Sequence, residues 1–177
     1  MDRYLKKAHL LKKRRSGTRP GTLLKNQIPI RIYTPGDEEK PWFIEIDLVA
    51  HYGDNASGQY LYKLTTTDIA TGWTEMIAIA NKTRTATYEG LKVLQHRFPD
   101  PILGMASDNG SEFINALLFN NCQDHRITFT RCRSYQKNWS KWRINVGFDR
   151  FTTKEEKTLL NDLYLTLHYL ENLFRPV

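Results

Sequence analysis

Asp47 stands in the middle of the run Phe43-Ile44-Glu45-Ile46-Asp47-Leu48-Val49. An ionised carboxylate on so apolar a strand is costly unless it is paired, hydrogen-bonded or bound to a metal. Asp108 follows a second short apolar stretch, residues 102–106, and so falls at the C-terminal end of a strand, the edge of an open α/β sheet where ligand sites form. Two aspartates at neighbouring strand positions are hard oxygen ligands suited to Mg²⁺ or Mn²⁺, ions that keep several waters and accept phosphate oxygens at the other positions. The chemistry this supports is attack on phosphodiesters. In a two-metal site the ions sit roughly 4 Å apart, one activating the attacking water or 3′-hydroxyl and the other stabilising the leaving oxygen. Each aspartate has an ordinary reading too. Asp47 alone fits a strand-end residue bonded to backbone amides, and Asp108-Asn109-Gly110 alone fits an Asx turn leading into a helix. Only their joint placement favours a site.

The elements that must position this pair follow from patterning. Residues 42–49, 60–67 and 73–79 are apolar or rich in aromatic and β-branched residues, and their short connections predict an antiparallel meander. Tyr88, Leu91, Leu94 and Phe98 recur at helical spacing before Pro99, which predicts a helix over residues 84–98. A strand over 102–106 comes next, then a helix marked by Ile114, Leu117, Leu118 and Cys122, in whose first turn Glu112 would favour the helix dipole. Residues 127–132 alternate as a fifth strand. The last element is a long helix. Thr152 with Glu155, or Thr153 with Glu156, offers a capping box, and Leu159, Leu160, Leu163, Leu167, Leu170 and Phe174 read as one apolar stripe. The order β-β-β-α-β-α-β-α predicts an α/β domain, a mixed sheet flanked by helices of the ribonuclease H-like kind.

Of the 177 residues, 1–40 carry 11 Lys and Arg against 4 Asp and Glu, whereas 41–177 carry 15 of each. The basicity therefore sits in an N-terminal arm, with Lys12-Lys13-Arg14-Arg15 at its centre and Pro and Gly throughout, which reads as a linker with a short helix at its start. The expected division is a linker over 1–40 and a folded core over 41–177. A basic arm on a neutral domain fits a polyanion, because each cation that neutralises a phosphate releases a counterion. Nucleic acid fits better than a membrane surface. The arm has only a thin apolar face in Tyr4, Leu5, Leu10 and Leu11, and no run resembles a spanning helix or a secretory signal. A cytoplasmic protein follows as an expectation. Cys122 and Cys132 lack metal-site spacing and read as reduced structural thiols.

Three segments carry a specific resemblance: Phe43-Ile44-Glu45-Ile46-Asp47, Thr67-Asp68-Ile69-Ala70-Thr71-Gly72-Trp73 and Ser107-Asp108-Asn109-Gly110-Ser111-Glu112-Phe113. They are similar to signature segments of integrase-core transposases, the DDE enzymes of bacterial insertion sequences, and the likeness covers nearly everything after about residue 20. The resemblance implies a core that cleaves DNA and joins strands with Mg²⁺ or Mn²⁺, acting on transposon ends and target DNA. It also implies Asp47 and Asp108 as catalytic metal ligands and a structural role for Asp68 and Trp73.

The pattern then breaks. The family's third ligand is a Glu on a helix about 35 residues beyond the second Asp, completing the site for both metals, yet no acidic residue lies between Asp124 and Asp149. Relatives read Tyr-x-Lys-Asn, a polar turn, then Val-Glu-Gln-Lys-Asn-Trp-Ser, whereas this chain reads Tyr135-Gln136-Lys137-Asn138-Trp139-Ser140. Both motifs share one Lys-Asn pair, as an in-frame deletion between short repeats would leave, removing about nine residues or some two and a half helical turns. The remaining helix, over about residues 139–146, would start without its cap. The resemblance therefore implies a core inactive in strand transfer, or a non-catalytic remnant that binds nucleic acid or forms homo-oligomers or mixed oligomers with an intact transposase. The linker-like start, where relatives carry helix-turn-helix sequence, implies that recognition of specific ends is missing as well.

Arg126, Arg131, Arg133, Lys137, Lys141 and Arg143 are uninterrupted by acidic residues and interleaved with Tyr135, Trp139 and Trp142. Two readings stand open: cations tracking a DNA backbone with rings stacking on bases, or a solvated basic surface over core tryptophans. With Lys12, Lys13, Arg14 and Arg15, the residues Arg131, Arg133, Lys137, Lys141 and Arg143 form the candidate DNA-binding set. His51, His96 and His125 read as structural.

Overall fold

The computed structural model describes residues 22–30, 40–131 and 149–174. Five strands, β1 (Phe43–Ala50), β2 (Tyr62–Asp68), β3 (Thr74–Ile79), β4 (Gly104–Ser107) and β5 (Thr128–Arg131), form one sheet in the order β3-β2-β1-β4-β5. The first three are an antiparallel meander, and β4 and β5 add in parallel on the other side of β1. Helices α1 (Thr22–Gln27), α2 (Arg84–Gln95), α3 (Ala116–Asp124) and α4 (Lys154–Leu173) complete the described chain. This is the α/β, ribonuclease H-like arrangement that the order of elements predicts.

Strand alternation divides the sheet into two faces. Ile44, Ile46, Leu64, Ile79, Met105 and Phe129 pack with Leu91, Leu94 and Phe98 and with Leu118 and Cys122 in the main core. Burial pushes the Cys122 thiol up to about 12, so it is protonated and inert. The main core also takes in Ile28, just after α1 and upstream of residue 40. Gly90 permits the close approach of α2, since a Cβ there would lie 2.9 Å from Ile79 and 3.0 Å from Leu64. A smaller cluster of Leu61, Met76 and Ala78 packs against Leu160 and Tyr164 of α4.

Local caps follow the sequence closely. Thr83 and Asn115 cap α2 and α3, and Thr153 with Glu156 makes a full capping box on α4. Glu112 differs from its expected place: α3 begins only at Ala116, so Glu112 lies in the preceding turn, its carbonyl accepting from Asn115 Nδ2. The reason is that Asn115 is the better N-cap, its side chain accepting from Leu118 N–H.

The stripe expected on α4 also divides differently. Leu160 and Leu167 face the sheet with Tyr164, but Leu159, Leu163, Leu170 and Phe174 are exposed. β3 is an edge strand, and its outward backbone groups set the rotation of the helix. Asn161 Oδ1 accepts from Ala78 N–H, Asn172 takes both Thr74 N–H and Thr74 C=O, and Arg97 donates to Met76 C=O. An open edge with unpaired amides is a liability, and here side chains from α4 and the end of α2 close it.

Candidate functional site

β1 and β4 run parallel with Ile46 opposite Ser107, the last residue of β4, so Asp47 within β1 and Asp108 just past β4 are each the next residue along. Neighbouring strands lie roughly 4.8 Å apart. Ile46 is buried in the core, and alternation sends Asp47 to the other face, where Thr65 of β2 and Met76 of β3 lie beside it in register. Glu45 shares that face one alternation back, and the buried Lys63 shares it one alternation onward, opposite Val49. Asp47 is half-buried in spite of the apolar sequence around it, because its neighbours Ile46 and Leu48 point the other way.

β4 ends at Ser107, and Asp108 opens the turn, its Oδ1 accepting from Gly110 N–H at 2.8 Å. The Asx turn of the ordinary reading is thus present, and it fixes the Asp108 carboxyl at the sheet edge. The Glu112 carboxyl folds back over Gly110, 2.7 Å from where a Cβ would stand, so a larger residue there would displace that flexible side chain. Carboxylates are the hard oxygen ligands that suit Mg²⁺ held otherwise by water and phosphate. Among the described residues, no group of three or more His, Cys, Asp and Glu comes together to hold a metal.

Arg131, a DNA-binding candidate, has its guanidinium engaged within the chain. Nε donates to Lys25 C=O and Ile28 C=O at 3.1 and 3.0 Å, and NH1 reaches Asn109 Oδ1 at 3.4 Å. It closes the C-terminal end of α1 and ties that helix to the turn after Asp108. Lys12, Lys13, Arg14, Arg15, Arg133, Lys137, Lys141 and Arg143 lie outside the described residues, as do the junction at Lys137-Asn138 and the helix expected over residues 139–146.

Asp68 and Trp73 hold structure. Asp68 Oδ1 accepts from Trp42 N–H at 2.7 Å, and its Oδ2 accepts from Thr71 N–H and Thr71 Oγ1–H. This fastens the turn before β3 to the start of β1, where Trp42 takes a φ of 75°. Trp73 Nε1–H donates to Glu75 Oε1 at 2.9 Å, and His168 Nδ1 meets the same oxygen at 2.9 Å. Sequence reasoning missed this buried cluster. Burial pushes the Glu75 carboxyl up, against the pull of Trp73, His168 and Arg97. A lone Glu amid β-branched residues of a strand was the available signal.

His51, read as structural, is buried and bonds Tyr164 Oη at 3.1 Å. Desolvation and then the charge of Lys63 hold its pKa down. Just before α4, Phe151 pairs with both His51 and Leu61, and Arg150 donates to Asn55, Ser57 and Gln59 carbonyls, closing the β1–β2 loop.

No helix among the described residues is long and apolar enough to cross a membrane. A family model described as integrase core domain matches residues 37–137. A Sinorhizobium fredii protein described as uncharacterized protein y4rM is 30% identical over 189 residues, 99% of this chain and 53% of that protein. The chain thus spans about half the length of this curated relative. Among solved structures, the HTLV-2 integrase catalytic core domain in complex with magnesium, dimeric form, is 16% identical with a TM-score of 0.45, covering 51% of this chain and 61% of that one. Its trimeric form is 16% identical with a TM-score of 0.44, covering 50% and 57%. With the family model spanning more than half of its residues, and Asp47 and Asp108 inside the matched stretch, this chain belongs to the integrase core domain family.

Proposed function

We propose that this chain is the core of a DNA-cleaving and strand-joining transposase whose metal site is incomplete, so that it binds a divalent ion and nucleic acid without joining strands. The observation that supports it is the parallel register of β1 and β4, in which Ile46 and Ser107, the residues just before Asp47 and Asp108, pair. Asp47 and Asp108 would hold one Mg²⁺ or Mn²⁺. When bound, such an ion polarises a phosphodiester and lowers the pKa of its water. The chain's own part is to fix the two carboxylates, Asp108 through its Asx turn and Asp47 through the β1 ladder. The missing Glu leaves the second ion without an anchor, and ligand geometry tolerates little displacement.

The test measures Mn²⁺ binding by electron paramagnetic resonance together with Mg²⁺- or Mn²⁺-dependent joining of labelled transposon ends. Weak Mn²⁺ binding, reduced about tenfold or more by Asp47→Asn or Asp108→Asn, with no joined product, is the expected result. Binding indifferent to both substitutions would sink the site. Robust joining abolished by Glu112→Gln would sink the inactivity.

A second reading is a non-catalytic remnant that forms homo-oligomers or mixes with an intact relative and interferes with it. The exposed apolar side chains of α4 favour it. Poisoning of a full-length relative in a mixed joining reaction is its signature.

A further inference from the structure

Lys63 is 2% exposed, and a lysine is almost never so buried unless it is paired. It stands in β2 between Val49 of β1 and Ala78 of β3, on the face of the sheet that α4 covers. An ammonium taken out of water needs an anion within reach, because its desolvation is otherwise uncompensated. The register names the anion. Asp47 opposes Thr65, two residues from Lys63 on the same face, and such diagonal neighbours across an antiparallel pair lie roughly 7–8 Å apart, within reach of a long side chain. His51 pairs with Leu61 on the other diagonal and brings no negative charge: it bonds Tyr164 Oη, and burial and then the Lys63 charge hold its pKa down. Glu45 opposes Thr67, a further alternation away, and Glu75 opposes Thr66, out of phase with Lys63. On α4, Asn161 is level with Ala78 and so with Lys63, which puts Glu171 about 15 Å farther along the helix. Asp149, Glu155 and Asp162 are exposed, and Glu156 Oε2 accepts from the amides of Thr152 and Thr153. Among the described residues, Asp47 is therefore the carboxylate placed for Lys63.

We propose that Lys63 is the resident counter-charge of Asp47, an ammonium that balances the carboxylate in the metal-free chain and against which a divalent ion must compete to bind. The proposal rests on the reading of Asp47 as an ion ligand and adds what sets the affinity of that site. Ammonium and metal ion are drawn to the same carboxylate, and two cations beside it repel each other more strongly in a partly buried setting than in water. Because Lys63 is enclosed, its charge does not withdraw into solvent when an ion arrives. Divalent binding is then weaker than the carboxylates alone would give. The two halves of the proposal separate experimentally, since the pairing exists without metal and the competition shows only with it.

Two measurements on the full 177-residue chain test it, with far-ultraviolet circular dichroism as the control for folding and Lys63→Gln in place of Lys63→Met should the latter not fold. Urea unfolding in excess chelator compares the parent with Lys63→Met, Asp47→Asn and the double variant. A pair predicts non-additive losses, with a coupling worth about tenfold in the unfolding equilibrium constant. Additive losses would overturn the pairing and the proposal with it. Mn²⁺ binding by electron paramagnetic resonance then reads the competition. Lys63→Met should bind Mn²⁺ about tenfold more tightly than the parent, and Lys63→Arg, which keeps the charge, should bind as the parent does. Unchanged or weaker binding in Lys63→Met would overturn the competition, and tighter binding in Lys63→Arg would overturn charge as its cause. Parent binding indifferent to Asp47→Asn is a separate outcome: it would overturn the metal reading and the competition, while a non-additive cycle in chelator would leave the Lys63–Asp47 pair standing.

Discussion

Two regions of the same sheet carry carboxylates in different settings. In the middle of β1 and just past the end of β4, Asp47 and Asp108 are half-buried, and Asp108 Oδ1 accepts from Gly110 N–H. At the β3 edge, Glu75 is 1% exposed, and Trp73, His168 and the charge of Arg97 surround it. The deeper carboxylate meets His168 of α4, and the shallower pair is the one proposed above to hold a metal ion. Burial of an acid therefore does not by itself mark a site. What separates the two regions is depth: Glu75 is enclosed with Trp73, His168 and Arg97 around it, whereas Asp47 and Asp108 are half-buried.

The largest effect that tests this contrast is Glu75→Ala, expected to cost about 3 kcal/mol in urea unfolding, since it strands His168 and the Trp73 indole N–H. By contrast, Asp108→Asn keeps the oxygen that accepts from Gly110 N–H and should move stability by less than about 0.5 kcal/mol. Equal costs would erase the distinction between the two regions. Asn172→Ala comes next. It leaves Thr74 N–H and C=O at the β3 edge without their partner, and a loss of about 1–2 kcal/mol is expected, read from the shift of the urea midpoint.

The smallest effect is a pH slope. His51 has its pKa lowered in the folded chain, so below its ordinary value of 6.5 the unfolded chain takes up the proton first. Stability is thus fully present above pH 6.5 and falls as the pH drops toward the lowered folded value. Glu75 has the opposite sign: its raised pKa gives stability that is present at low pH and lost as pH rises through the folded value. The comparison of His51→Gln with the parent chain isolates the first term. The variant should show a shallower loss on acidification below 6.5, and an unchanged slope would show that His51 stays neutral in neither state preferentially.

Much of the framework was legible because it is local. The strand alternation around Asp47, the turn at Asp108-Asn109-Gly110, the periodicity of α2 and the Thr153–Glu156 capping box each depend on residues a few positions apart. The register that pairs the residues just before Asp47 and Asp108 was legible only as a consequence of strand order. Less legible were the groups whose meaning lies across the fold. For Arg131, a candidate DNA contact, nothing in the sequence signals that its Nε donates to carbonyls more than 100 residues away, at Lys25 and Ile28.

The sequence by itself determined roughly where the strands and helices form and where the last helix is capped, because propensity, alternation and capping act over one or two turns of chain. Only the tertiary structure decided which face of α4 meets the sheet and which stays exposed among the described residues. Leucines occur on both faces, and the choice was made by the edge amides and carbonyls of β3, which Asn161 and Asn172 satisfy from the far end of the chain. Burying an unpaired backbone group costs more than exposing a leucine.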